Sequence, residues 1–333
     1  MAEIIEARAL RGERTERLID AVPLSTPWTM FIEPTNTCNF RCKYCPTGDT
    51  QLLSSVGRKN KLMDYDLFCR VVDDMKAFPN KVKQVNLYKD GESTLHPRFC
   101  DMVRYLRDAD VADKIWLKTN GSTLSPEYNE RLVNCGLDMI GLSVQHVHAQ
   151  GFFDIAGVRI DYEKYRANVL DLFNRSRGKV VISAKIADIG FSAEDKDKFF
   201  HDFSDRTDYL AIEGLHGWSA SDRGDWRLGT DQSFDGNARV HKIACPLVLY
   251  MVTINSNGEV SICNDDWMHA HKIGNIRGNS ISEIWNGIRL KSFRLMHLEG
   301  RRSENAACGT CDYLQTLPDN IDADREEYAR RYA

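Results

Sequence analysis

The sequence has no apolar run that approaches the length needed to cross a bilayer. Residues Met1 to Asp20 are rich in Glu and Arg and lack an apolar centre, so they are expected to be neither a signal peptide nor a membrane anchor. No sign of charge prevails either. Against 44 Lys and Arg stand 48 Asp and Glu, and the net charge of −4 gives no reason to expect nucleic acid or an anionic membrane surface as partner. Internal repeats and low-complexity tracts are also missing, which leaves out solenoids and biased linkers. The remainder is ordinary for a globular protein, 42% hydrophobic and 28% charged, in 333 residues that can hold one large domain or a large and a small one. The surplus is in cysteine. Ten cysteines with no export signal argue against a disulfide framework and for metal or redox use, in a protein expected to be cytoplasmic.

Three of the ten fall together as Cys38-Asn39-Phe40-Arg41-Cys42-Lys43-Tyr44-Cys45, just after the strand-like run Thr29 to Thr35. Three closely spaced thiolates can hold three irons of a [4Fe–4S] cluster and leave the fourth open, whereas electron-transfer clusters take four cysteines. A structural zinc site also takes four ligands, and no fourth Cys or His lies at the usual spacing. Three buried structural cysteines in a turn are the bland alternative; Asn36, Asn39, Arg41 and Lys43 around them do not read as core.

From Trp28 to about Gly214, short apolar strands alternate with amphipathic helices. The strands are expected at Met30–Pro34, Gln84–Tyr88, Lys114–Thr119, Met139–Val144, Val180–Ala187 and Tyr209–Gly214. Leu67, Phe68, Val71, Val72 and Met75 recur at helical spacing behind the cap Asp64, as do Phe99, Met102, Val103 and Leu106, and Ser125-Pro126 opens a third helix. Six strands alternating with helices predict a parallel sheet with right-handed crossovers, its active residues at the carboxyl ends of strands. Residues 1–27 are read as a helical extension, 28–218 as the α/β core, 219–242 as a polar linker, 243–317 as a small α+β domain and 318–333 as a tail. Within the small domain Leu247–Ile254 and Val260–Cys263 read as a hairpin around Asn257-Gly258, with a helix from Ser280. Cys245, Cys263, Cys308 and Cys311 lie there too, a set that would also serve a structural zinc.

The C-x3-C-x2-C loop, with an aromatic before its last cysteine, resembles the signature of the radical S-adenosylmethionine (radical SAM) superfamily. That resemblance implies an open, partial (β/α)6 barrel. It further implies a [4Fe–4S] cluster on Cys38, Cys42 and Cys45, S-adenosylmethionine (SAM) chelated at the open iron, and a 5′-deoxyadenosyl radical made by reductive cleavage. Lys89-Asp90-Gly91-Glu92-Ser93 resembles the family's Gly-Gly-Glu, with Asp90 in place of the first glycine. Gly91 would then admit the ligand closely and Glu92 would meet its ammonium; Asp-Gly is also a common turn. Thr119-Asn120-Gly121 resembles the family's Thr-Asn-Gly, Ser143 and Gln145 stand where ribose contacts fall, and Tyr44 is expected near the adenine. Lys185, inside an apolar strand, must reach an anion, such as the SAM carboxylate or a substrate, or the solvent at the rim.

Gly258-x4-Cys263 and the closing C-x2-C resemble the start of the SPASM pattern, shortened to the four cysteines of the "twitch" form with one auxiliary [4Fe–4S] cluster. The spacing is similar to that of radical SAM dehydrogenases acting on the aminocyclitol 2-deoxy-scyllo-inosamine. Two [4Fe–4S] clusters and SAM are thus the implied cofactors, with flavodoxin or ferredoxin as reductant. The implied reaction is dehydrogenation of a carbinol carbon in a sugar, aminocyclitol or related polar metabolite. Lys185, Glu213, His216 and Arg227 are the candidate bases for the hydroxyl proton, and Trp218 is expected at the pocket floor. Cys69, Cys100 and Cys135 fall on helices as small apolar residues, and His269 and His271 could serve beside the second cysteine set or lie on the surface. Epimerisation, which needs a hydrogen donor such as a thiol, peptide maturation, and a non-catalytic iron–sulfur or zinc carrier or scaffold remain the competing readings.

Overall fold

The computed structural model describes residues 2–5, 17–215, 217, 218, 228 and 239–333. Alternating apolar segments set its centre. The strands are β1 (Glu3–Ile4), β2 (Thr29–Ile32), β3 (Val82–Asn86), β4 (Ala112–Thr119), β5 (Met139–Ser143), β6 (Val181–Ala187), β7 (Tyr209–Glu213), β8 (Met251–Ile254), β9 (Glu259–Ser261) and β10 (Lys272–Asn275). They form a single ten-stranded sheet in the order β1-β7-β6-β5-β4-β3-β2-β8-β9-β10. Neighbours from β2 to β7 are parallel, so the chain returns between them through helices. The sheet is not closed: β1 and β10 are its two ends.

The helices begin where the side chains allow. Asp64 accepts a hydrogen bond from the Leu67 amide (3.1 Å) at the start of Tyr65–Met75, and Leu67, Phe68, Val71, Val72 and Met75 are buried. Ser125 does the same for Pro126–Val133, with Pro126 at its first turn. On the sheet, Leu117, Ile140, Leu142, Ile182, Ala184, Ile186 and Leu210 are at most 1% exposed. The opposite face is polar: Lys118, Gly141, Ser183 and Tyr209 lie in one register row, and Ser143, Lys185 and Ala211 in the next. Strand period two turns these residues the same way. A Cβ on Gly141 would lie 3.4 Å from Lys118 Cγ and 3.5 Å from Ser183 Oγ, so all three crowd one wall.

Three sequence expectations change. Residues 1–27, read as a helical extension, contribute an edge strand, β1, parallel to β7, before the short helix Leu18–Ala21. The expected hairpin exists as β8 and β9, but Leu247–Tyr250 is a helical turn, because Pro246 starts it and leaves β8 only four residues. The tail contains a helix, Arg325–Tyr332, whose Tyr328 and Tyr332 are buried and which lies on helix Ile288–Leu298. The small domain is also less separate than its composition suggests: β8 pairs in parallel with β2, extending the barrel sheet, and one apolar core runs from Leu18 to Tyr332. Among the described residues no helix is long and apolar enough to cross a membrane.

Candidate active site and cysteine clusters

The loop after β2 carries Cys38, Cys42 and Cys45 and is fastened at both flanks. Thr35 and Asn36 bond the 59–61 segment through Thr35 Oγ1 to the Lys61 carbonyl (2.9 Å) and Asn36 Nδ2 to the Lys59 carbonyl (2.9 Å). The Arg41 and Lys43 amides donate to the Ala156 and Ile155 carbonyls at 2.7 and 2.9 Å. Each sulfur has a polar neighbour close by in the fold. The Phe40 amide points at Cys38 Sγ (3.5 Å), Cys42 Sγ donates to Gln145 Oε1 (3.4 Å), and Cys45 Sγ sits 2.7 Å from Thr47 Oγ1. Burial first, and then the other cysteines of the set, push Cys42 well up; burial pushes Cys38 up to about 12. Thiols held this way stay protonated until a metal displaces the protons.

Residues from the next three strands close on this loop. Gly91 is needed for packing: a Cβ there would lie 2.2 Å from the Thr35 carbonyl oxygen. The Glu92 amide donates to the Thr37 carbonyl (2.9 Å). The buried Glu92 carboxylate ties its own loop to the end of β4. Oε1 accepts from the Thr94 amide (3.1 Å), Thr94 Oγ1 (2.6 Å) and Thr119 Oγ1 (2.8 Å), and Oε2 accepts from the Asn120 amide (2.7 Å). Burial still raises its pKa against those four donors. Asn120 Nδ2 donates to Asn39 Oδ1 (3.0 Å) and lies 4.0 Å from Cys38 Sγ. Gln145 receives the Tyr44 hydroxyl and donates to the Ser143 carbonyl (2.8 Å). Tyr44, Gly91, Glu92, Asn120 and Gln145 are therefore one assembly around the cysteine loop, with Ser143 one register row from it.

Lys185 and Glu213, expected separately as bases, form an ion pair on adjacent strands at the same carboxyl ends. Their side chains are 18% and 11% exposed, on the polar face that Ser143 shares. His216 and Arg227 lie outside the described residues. Trp218 donates its indole N–H to the Tyr44 carbonyl (2.8 Å), while the Gly217 amide donates to Asp312 Oδ1 (3.1 Å), beside Cys311.

Sequence reasoning missed a buried charge cluster beneath the loop. Asp90 Oδ2 lies 2.8 Å from Arg58 Nη1 and 3.1 Å from Lys89 Nζ. Lys89 also donates to Asn255 Oδ1 (2.8 Å) and the Asp266 carbonyl (3.1 Å), and Arg58 to the Trp267 carbonyl (2.7 Å). The departure from Gly-Gly-Glu at Asp90 was the only local signal for it.

The second cysteine set assembles from distant segments. Cys245 precedes the helical turn at 247–250, Cys263 follows β9, Cys308 lies within helix Ala306–Thr310 and Cys311 caps its end. Burial, Asp265 and the neighbours Cys245 and Cys311 push Cys263 well up, and burial takes Cys245 to about 11. Polar groups surround the set: the Asp265 amide donates to Cys263 Sγ (3.3 Å), Arg302 to the Cys308 and Cys311 carbonyls, and His271 Nε2 lies 3.3 Å from Cys308 Sγ. His271 is buried, and His269 is 10% exposed at its side chain; neither is the surface histidine that one reading allowed. Among the described residues no three His, Cys, Asp or Glu side chains are gathered as a single-ion site. The donor chemistry of both sets, thiols with amide and cationic donors around them, suits iron–sulfur clusters. Cys100 and Cys135 are buried on the helix side as expected; Cys69 is half-buried on helix Tyr65–Met75.

The family model of the radical SAM superfamily matches residues 32–186, and that of the SPASM iron–sulfur cluster-binding domain matches 245–312. A tungsten-containing aldehyde ferredoxin oxidoreductase cofactor-modifying protein of Pyrococcus furiosus is 34% identical over 122 residues, which are 34% of this chain and 30% of that protein. The match thus spans under a third of that relative's length. Among solved structures, BtrN in complex with AdoMet and 2-DOIA aligns over 89% of this chain and 97% of its own, with a TM-score of 0.56 at 18% identity. SuiB of Streptococcus suis bound to precursor peptide SuiA aligns over 91% and 73%, with a TM-score of 0.61 at 15% identity. At those identities the likeness is one of fold.

Proposed function

The chain is a radical SAM enzyme with a SPASM domain, and from that premise we propose that it oxidises a secondary alcohol of a sugar, aminocyclitol or related polar metabolite to the ketone. A radical SAM domain carries a [4Fe–4S] cluster and SAM, and a SPASM domain an auxiliary iron–sulfur cluster. We assign the first cluster to Cys38, Cys42 and Cys45, the SAM contacts to Tyr44, Gly91, Glu92, Asn120, Ser143, Gln145 and Lys185, and the auxiliary cluster to Cys245, Cys263, Cys308 and Cys311. These cofactors supply a 5′-deoxyadenosyl radical for hydrogen-atom removal and an acceptor for the electron left on the substrate carbon.

The observation that carries the reading is the Lys185–Glu213 pair on the polar face of the sheet, at the strand ends that bear the cysteine loop. Oxidation of a carbinol releases a hydroxyl proton as well as a hydrogen atom and an electron. A carboxylate oxygen can accept that proton while the adjacent ammonium balances its charge. Ser143, in register with Lys185, offers a hydroxyl to the same polar substrate. None of Cys69, Cys100 and Cys135 lies on this face of the strands, so the thiol that epimerisation would need is not among them. The likeness to BtrN, over nearly all of that chain and with a small-molecule ligand in its crystals, agrees with a metabolite as substrate; flavodoxin or ferredoxin is the reductant proposed with it.

The test is turnover of reconstituted enzyme, under anaerobic conditions, on a panel of polyols and aminocyclitols deuterated at carbon. Deuterium in 5′-deoxyadenosine together with ketone product supports oxidation. Loss of that deuterium, with solvent hydrogen in its place, in a redox-unchanged product would replace oxidation by epimerisation. Glu213→Gln should lower ketone formation by about 10²-fold or more while SAM cleavage continues; unchanged ketone formation would remove the pair from the mechanism.

A further inference from the structure

Asp90 stands where the family motif carries a glycine, and its side chain is 3% exposed. Burial of a lone carboxylate is strongly unfavourable, so such a residue persists only with strong compensation. Burial does push its carboxyl up, but Lys89 and Arg58 outweigh that and hold it below the usual range. Both contacts to Oδ2 are close ionic approaches rather than aligned hydrogen bonds. The two cations differ. Lys89 directs its ammonium to Asn255, the Asp266 carbonyl and Asp90. Arg58, 4% exposed, gives Nη1 to the Trp267 carbonyl and Asp90, while Nε and Nη2 are buried with no hydrogen-bond partner among the described residues.

Asp90, which holds Arg58, meets the cysteine loop through Thr47. Cys45 is among the groups whose charge acts on Arg58, and Asp90 among those acting on Cys45. Cys45 Sγ, Thr47 Oγ1 and the Asp90 carbonyl form a short chain with steps of 2.7 and 3.0 Å. A cluster held by three thiolates is anionic, and its potential follows the net charge and hydrogen bonds around it. We propose that Arg58 is the cation that offsets the negative charge of the three-cysteine cluster, and that Asp90 is a positioning residue that fixes this guanidinium and limits its effect. The proposal rests on the assignment of Cys38, Cys42 and Cys45 as ligands.

The test is an anaerobic redox titration of the reconstituted protein without SAM, followed by EPR, on the variants Arg58→Met and Asp90→Asn. Loss of the cation should move the midpoint potential of the three-cysteine cluster down, and loss of the anion should move it up. The double variant should return towards the wild-type value. Opposite signs require a charge effect; a packing defect moves both variants alike, so shifts of one sign, or none, overturn the proposal. If Arg58→Met takes up no iron, Arg58→Lys decides the matter, since it keeps the charge: a wild-type potential supports the proposal and a displaced one overturns it. Failure of the ligand assignment reads differently, as full iron retained when Cys38, Cys42 and Cys45 are changed to Ala.

Discussion

Glu92 shows how one carboxylate can be both a family feature and a structural joint. Its two oxygens take hydrogen bonds from Thr94, Thr119 and the Asn120 amide, so its removal unties the loop after β3 from the end of β4. Glu92→Gln puts an amide donor where donors already converge. The expected cost is about 1–3 kcal/mol of stability, with weaker SAM binding, read by thermal unfolding and by equilibrium dialysis; unchanged values for both would leave Glu92 without this role. Gly91→Ala should be worse, because the new Cβ meets main-chain oxygen that has nowhere to move. Loss of about half the iron on reconstitution is the expected sign of a displaced cysteine loop. His96 carries a pH dependence. Its Nε2 bonds the Met63 carbonyl (2.9 Å) and its Nδ1 accepts from the Arg98 amide (3.1 Å), an arrangement open only to the neutral ring. Burial holds its pKa below the ordinary value, so the unfolded chain takes up a proton first as pH falls. The stability it contributes is complete above about pH 6.5 and is lost progressively below it. His96→Gln should flatten the fall in melting temperature between about pH 7.5 and 5.5 relative to wild type; parallel curves would assign that fall to other groups.

At the scale of elements, the six barrel strands and three helix starts were legible because each depends on neighbours in sequence. Period-two and helical spacing, the caps Asp64 and Ser125 and the Asn-Gly turn are local signals, and strand ends moved by only a residue or two. Asp64→Ala tests the first of these, with an expected loss of about 1 kcal/mol in denaturant unfolding. Non-local features stayed hidden. Strand β1 is two residues long and exists by pairing with β7, and nothing in Glu3–Ile4 announces that. The pairing of β8 with β2 brings together segments from opposite ends of the chain. Both cysteine sets were visible from spacing and Lys185 from its apolar strand. Its partner Glu213 was visible only as a separate candidate, because register, not sequence, sets them side by side. Arg58 was invisible: a surface-like arginine after a Gly becomes buried only through Asp90 and Trp267.

Among the described residues one sheet and one apolar core hold the molecule, with the cysteine sets at two places along it. Changing Cys38, Cys42 and Cys45 to Ala should leave a folded protein with about four irons in place of about eight. SAM cleavage should be abolished; cleavage that persists would sink the assignment. A chain cut after Lys242 should behave quite otherwise. It exposes the edge of β2 and the apolar residues that β8 and helix Ile281–Asn286 cover, and is expected to aggregate on size exclusion rather than run as a free barrel. The position of β2 also sets an order on biosynthesis. Its neighbours are β3, made soon after it, and β8, made near the end, so the strand that carries the cysteine loop is sheathed on one side until most of the chain has left the ribosome. Iron that reaches this loop earlier meets β2 with β3 alone beside it.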